Sequence, residues 1–247
     1  MYSPLNQFEI YTVINLNILD SYLITINNIN LVIISVSVFF FLIYFLLMEE
    51  INIIPKKIQY VYEMIYLFVF NIVYVQVSKK GLKFFPFLFT IFLMVLSLNI
   101  ISLFPFSFAV TSHFIWSLYM SLSTCLGVFF LGLINYKLNY LKIFLMNIPL
   151  LLYPLMTAIE LASYIIRAFS LAIRLSANII AGHILVDIIA EVISLLNYYL
   201  IDLSFIVLAL LIALMFLEIG VAALQAYVLL LLITLYLNDA VNLHLHI

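Results

Sequence analysis

Two arginines, Arg167 and Arg174, interrupt an otherwise apolar stretch that also carries Glu160, Ser163, Ser170 and Asn178. At about 100° per residue the other five all fall within roughly 40° of Arg174 around a helix, so they form one stripe. An arginine at bilayer depth costs about 2.5–3.5 kcal/mol, and two cost on the order of 5–7 kcal/mol unless they face water, a counter-ion or a moving charge. Glu160 is the only carboxylate on the stripe. It cannot neutralise two cations that lie roughly two and four turns away, so a structural salt bridge leaves the pattern unexplained.

A second group of ionisable residues follows. Glu218 and Gln225 are seven apart, hence within about 20° on one helical face, and Gly220 between them admits close approach of a neighbour. Intramembrane carboxylates usually mark ion or proton pathways. His183 lies nearly opposite Arg174 on its helix; it is either a packing histidine or a proton carrier, since imidazole titrates near physiological pH. His113, His244 and His246 fall in expected loops or the C-terminal tail and read as solvated polar residues. The one cysteine, Cys125, excludes an internal disulfide or a cysteine-ligated metal and reads as a small packing residue. Phosphate loops, nucleophile elbows, zinc-protease and dinucleotide fingerprints are all missing from the chain, so no cofactor, metal or nucleotide site is expected.

The elements that must position these residues are set by composition. With 68% hydrophobic and 8% charged residues over 247, the chain cannot keep a solvated surface and is an integral membrane protein. Its 9 basic and 11 acidic residues make no basic cluster for nucleic acid. The N-terminus lacks the basic region of a secretory signal or transit peptide. Abundant Ile, Asn, Tyr, Phe and Leu suit an AT-rich, organelle-encoded gene. Residues 1–247 read as a single all-α, polytopic membrane domain. Residues 31–48 form a first transmembrane helix. Residues 56–83, with Lys56, Lys57, Lys79, Lys80 and Lys83, suit an interfacial amphipathic helix. Residues 87–134 form a transmembrane hairpin that turns around Pro105, and 155–236 a hairpin of two long helices. The last stretch, 203–236, measures about 51 Å as helix against a core of about 30 Å, so these helices lie obliquely and present a slanted surface to another membrane component.

With the N-terminus outside, every lysine falls on inside segments, and outside segments carry no Lys or Arg. The same topology places Glu160 and Asp239 toward the inside, and His183, Asp187 and Glu191 toward the outside, with Glu218 near the middle. Protonatable groups thus flank Arg174 at different depths, as two offset aqueous half-channels would require.

The run Ser170-Leu-Ala-Ile-Arg174-Leu-Ser-Ala-Asn178-Ile-Ile-Ala-Gly182-His183 resembles the signature segment of subunit a of F-type ATP synthases, the stationary proton-channel subunit. Leu217-Glu218-Ile and Leu224-Gln225-Ala-Tyr-Val resemble its final helix, and Asn99 through Pro105 with Thr111-Ser112-His113 its hairpin. Motifs of this kind cover roughly residues 87–239. Ser102 stands where the family's hairpin usually has glycine. His183 stands where bacterial relatives commonly carry glutamate, which makes the chain similar to the mitochondrial, inner-membrane form. The resemblance implies a rotary motor in which protons ride on carboxylates of a rotating c-ring, with the 155–236 hairpin facing that ring. It implies Arg174 as the gate, Glu218 and His183 with Asn178 and Gln225 on the outer path, and Glu160 with Asp239 on the inner path. Arg167 reads as pairing with Glu160 or a neighbouring subunit. The partners implied are c-ring subunits, other membrane and peripheral-stalk subunits, lipid and protons. No catalytic nucleotide site belongs to the chain itself. The alternatives are a core subunit of a respiratory proton pump or a small secondary transporter, though no duplicated pattern of broken helices is visible.

Overall fold

The computed structural model describes residues 8–19, 22–49, 55–104, 107–137, 140, 153–199 and 201–242. Two strands, β1 (Thr12–Leu19) and β2 (Tyr22–Asn27), precede six helices: α1 (Asn28–Glu49), α2 (Lys57–Gly81), α3 (Phe85–Ser102), α4 (Phe114–Tyr136), α5 (Tyr153–Tyr199) and α6 (Ile201–Val241). Helices form over each of the segments expected to be helical, and the apolar part of α1 is the shorter stretch Asn28–Ile43. By length and composition α2 to α6 each contain a stretch apolar enough to cross a membrane. At 47 and 41 residues, α5 and α6 exceed the sequence-based bounds. Their contours reach about 70 and 60 Å, roughly twice a bilayer core.

The all-α expectation needs one addition. β1 and β2 pair antiparallel from Thr12↔Asn27 to Leu19↔Tyr22, with irregular register near both ends. Both strands are rich in Thr, Val, Ile and Tyr, the residues whose branched or aromatic side chains suit a pleated surface. Asn28 closes the hairpin onto α1: its backbone N–H donates to the Tyr11 carbonyl at 3.1 Å, and its Nδ2 donates to the Glu9 carbonyl at 3.1 Å.

Helix boundaries follow local chemistry. Pro86 sits in the first turn of α3, where its missing N–H costs nothing. The chain leaves α4 at Lys137, whose φ of 53° turns the backbone out of the helix. Between α3 and α4 a 3₁₀ turn, Val110–Ser112, is fully buried.

The chain forms two compact units. One comprises the chain up to Phe45 with Met94–Trp116 and Arg174–Gln225; the other comprises Leu46–Leu93, Ser117–Ile173 and the chain from Ala226 on. In the first, Val36 of α1, Leu98 of α3 and Val110 form the apolar centre. In the second, α2 buries Val69, Val73 and Val77 at four-residue spacing, and α3 adds Leu88 and Phe92. Helix α6 buries Leu230, Ile233 and Leu237 there. Polar ties reinforce this packing: Thr234 hydrogen-bonds Gln76, Asn242 Nδ2 donates to the Val77 carbonyl at 2.8 Å, and Asn135 Nδ2 donates to the Ala240 carbonyl at 3.3 Å. The boundary between the units cuts α5 between Ile173 and Arg174.

Candidate functional site: two carboxylate cavities and an exposed arginine

Helix α5 keeps its stripe on the outside. Ala168, Leu171, Ala172, Leu175, Ser176 and Ile179 are buried, at the i, i+3, i+4, i+7 spacing of a packed face. The opposite face leaves Ser163, Arg167, Ser170 and Arg174 exposed, with Glu160 and Asn178 half-buried. Among the described residues the Arg174 side chain makes no hydrogen bond or ion pair, and it lines neither of the cavities below.

The first unit holds a narrow cavity lined by Asn99, Asn178, Glu218 and Gln225 together with Leu103, Leu175, Ile179, Val221 and Ala222. It offers about 10 Å³ to the centre of a water molecule, about enough for one water. Asn99 is fully buried, and its Nδ2 donates to the Ala222 carbonyl at 3.2 Å. Its Oδ1, Glu218 Oε1 and Gln225 Oε1 are buried without a partner among the described residues. Buried acceptors of this kind are normally satisfied by a donor such as water. Glu218 reaches this position because of Gly182 on α5: a Cβ there would lie 2.7 Å from Glu218 Cδ and 3.2 Å from Cγ. The glycine that admits the carboxylate is Gly182; at Gly220 no described residue beyond its own helix lies within 4 Å of a Cβ. His183, half-buried, is not part of this lining. Its Nε2 is buried without a partner among the described residues, the Ser102 carbonyl accepts from its ring, and Phe8 meets it edge-on at 5.9 Å.

The second unit holds a roomier cavity of about 80 Å³ by the same measure, lined by Tyr140, Glu160, Ser163, Tyr164, Arg167, Tyr236 and Asp239. Glu160 and Arg167 of α5 are brought together here with Asp239 of α6, which is far from both in sequence. Arg167 meets Tyr236 in two ways: its guanidinium carbon stands 5.7 Å from the ring centroid, and the guanidinium donates a hydrogen bond to the Tyr236 hydroxyl. The ring contact contributes about 0.5–1 kcal/mol at exposed sites and more when desolvated. Tyr140 is buried; burial first, then the nearby Asp239, pushes its hydroxyl up to about 12.

His113 departs from the solvated reading. It is half-buried and stacks on Phe108 with centroids 5.3 Å apart, and burial lowers its pKa. Cys125 is buried as expected. His244 and His246 lie outside the described residues. Residues that sequence reasoning missed as site members are Asn99, Gly182, Tyr140, Tyr164, Tyr236 and Phe8. Of these, only the polar Asn99 inside an apolar span carried a local signal.

Long apolar helices bearing ionisable residues at membrane depth define a polytopic membrane protein of the ion-path class. The sequence profile of the ATP synthase A chain family matches residues 29–238. ATP synthase subunit a of Marchantia polymorpha is 40% identical over 253 residues, covering 98% of this chain and 99% of that protein. The Brassica napus subunit a is also 40% identical, covering 98% and 97%, and that of Anaplasma marginale is 37% identical, covering 98% and 100%. The chain belongs to the ATP synthase A chain family. It is the proton-channel component of the Fo membrane sector and assembles with other ATP synthase subunits. The match sets aside the respiratory-pump and transporter alternatives.

Proposed function

We propose that this chain provides the stator wall of a rotary proton path in the mitochondrial inner membrane, with two half-channels separated by Arg174 beside a c-ring. Peripheral-stalk and other membrane subunits hold it against rotation. The observation that carries the reading is the division of labour along α5. Along α5, an exposed arginine without a partner among the described residues falls between residues lining a cavity with Glu218 and residues lining another with Glu160 and Asp239. A guanidinium stays protonated at any relevant pH, so it attracts an ionised ring carboxylate but cannot hand a proton across. Protons arrive from outside by way of His183, Asn178, Gln225 and Glu218, neutralise a ring carboxylate, and leave through Glu160 and Asp239. The exposed stripe of α5 faces the ring, and α5 and α6 lie obliquely to accommodate their length.

The charge bias supports an interfacial α2. If α2 crossed the membrane, Lys56 and Lys57 would lie on the opposite side from Lys79, Lys80 and Lys83, whereas an interfacial α2 keeps all five inside. Composition and the histidine at position 183 support the mitochondrial assignment.

Arg174→Gln tests the gate. The complex should assemble, lose ATP synthesis, and leak protons passively, because protonated ring carboxylates then pass unopposed. Arg174→Lys should also be severely impaired, since a desolvated ammonium loses its proton more readily and lacks the planar fork. In oriented vesicles Glu218→Gln should respond to outside pH and Glu160→Gln to inside pH. Coupled synthesis at the normal rate in an assembled Arg174→Gln complex would refute the gate, and indistinguishable responses of the two glutamate variants would argue for a single path.

A further inference from the structure

We propose that Tyr236 is a positioning residue for Arg167: its ring is the platform that holds the guanidinium at the wall of the Glu160–Asp239 cavity as a fixed cation. The inference rests on the reading of that cavity as the proton-release path.

The platform is built from three helices. Tyr236 on α6 is 2% exposed, and its hydroxyl donates to the Tyr164 carbonyl on α5 at 3.2 Å. The Tyr164 ring packs against it with centroids 4.3 Å apart, and the Tyr164 hydroxyl in turn donates to the Cys125 carbonyl on α4 at 3.1 Å. A ring fixed at its hydroxyl end and covered on one side cannot follow the cation; the cation must come to the ring. Arg167 does so, with its guanidinium carbon 5.7 Å from the centroid, inside the range of cation–π attraction. Without that attraction an exposed arginine is a long, freely rotating chain.

Position matters because the influence of Arg167 on its neighbours is electrostatic. Coulomb energy falls as the inverse of distance, so a side chain that swings to twice the separation loses half its effect on a carboxylate. The titratable groups facing Arg167 are Cys125 of α4, Tyr140, Glu160 and Tyr164 of α5, and Tyr236 and Asp239 of α6. The phenols and the thiol are neutral at working pH, which leaves the two carboxylates to feel the charge. Held there, the guanidinium presents a fixed positive charge to the cavity that the two carboxylates line. Glu160 precedes Arg167 by seven residues on one helix, a rise of about 10 Å, so it is not the group that anchors the guanidinium.

The test uses the whole ATP synthase in liposomes, with synthesis measured against inside pH at constant driving force. Tyr236→Leu should move the acid midpoint of inhibition toward alkaline pH by about one pH unit, the size expected from losing a nearby opposite charge. Arg167→Met should move it equally, and the double variant no further. Tyr236→Phe keeps the ring but loses the hydroxyl that accepts from Arg167, so its midpoint should stay closer to the wild-type value than that of Tyr236→Leu. A Tyr236→Leu complex with an unmoved midpoint, in an assay where Glu160→Gln does move it, overturns the proposal. So does a Tyr236→Phe shift as large as that of Arg167→Met, which decides the question even where Tyr236→Leu fails to assemble. If Glu160→Gln and Asp239→Asn both leave the midpoint unmoved, the cavity is not the release path, and the proposal falls with that reading.

Discussion

Gly182→Ala adds a single methyl group at the place where α5 and the Glu218 carboxylate meet. The new Cβ would lie 2.7 Å from Glu218 Cδ and 3.2 Å from Cγ, and closer still to Oε1. The methyl can stay only if Glu218 gives way. Either the flexible end of Glu218 swings to another rotamer at small cost, or the backbones separate, at about 1–3 kcal/mol for an overpacked contact. Both displace a carboxylate whose neighbours Asn99, Asn178 and Gln225 stay where they are. If the displacement acts on proton uptake alone, 1–3 kcal/mol corresponds to a loss of roughly five- to 150-fold in flux, at about 1.4 kcal/mol per factor of ten. Proton-driven ATP synthesis in purified complex reads it directly. Gly127→Ala on α4 is the control: beyond the helix's own turns no described residue lies within 4 Å of a Cβ there, so synthesis should be unchanged. Gly182→Ala combined with Glu218→Asp should recover part of the rate, because the shorter side chain retreats from the methyl. Wild-type synthesis by an assembled Gly182→Ala complex would show that the carboxylate's position at Gly182 does not matter.

Phe8→Ala should increase labelling of His183 by diethyl pyrocarbonate about two- to twelve-fold, the factor equivalent to losing an aromatic contact of roughly 0.5–1.5 kcal/mol, while Phe8→Tyr should not. His113 has a pKa below the ordinary 6.5 because of burial, so the folded turn prefers the neutral ring and the opened chain takes up the proton first. The turn is therefore fully stable above pH 6.5 and loosens as pH falls through that value; amide exchange over residues 107–113 should accelerate there, and His113→Gln should abolish the dependence.

Much of this site was legible from the sequence because charge inside a membrane is rare. Arg174, Glu160 and Glu218 stand out against leucine and isoleucine, and helical periodicity alone aligns Arg167 with Arg174. The partners that shape the site were not legible. Tyr236 and Tyr164 are 72 residues apart and look like two more aromatics in a chain with 17 tyrosines. Gly182 and Gly220 are indistinguishable as small residues near charges; only the packing shows which one receives a side chain. The N-terminal hairpin was readable from its β-branched residues around Asp20-Ser21, but a search for transmembrane periodicity passes over segments this short and this polar. The lengths of α5 and α6 were underestimated because their ends carry Asn, Tyr and Asp, which weaken hydropathy without breaking a helix.

The exposed stripe on α5 also bears on how the subunit is made. A newly inserted copy displays Arg167 and Arg174 on a face where none of the described residues covers Arg174. Until a partner arrives, that face carries an insertion penalty on the order of 5–7 kcal/mol for the two arginines, comparable to the whole stability of many folded domains. If Arg174 is the gate proposed above, the charge that gives the finished motor its direction is also what ties the free subunit's stability to the supply of the surface it meets.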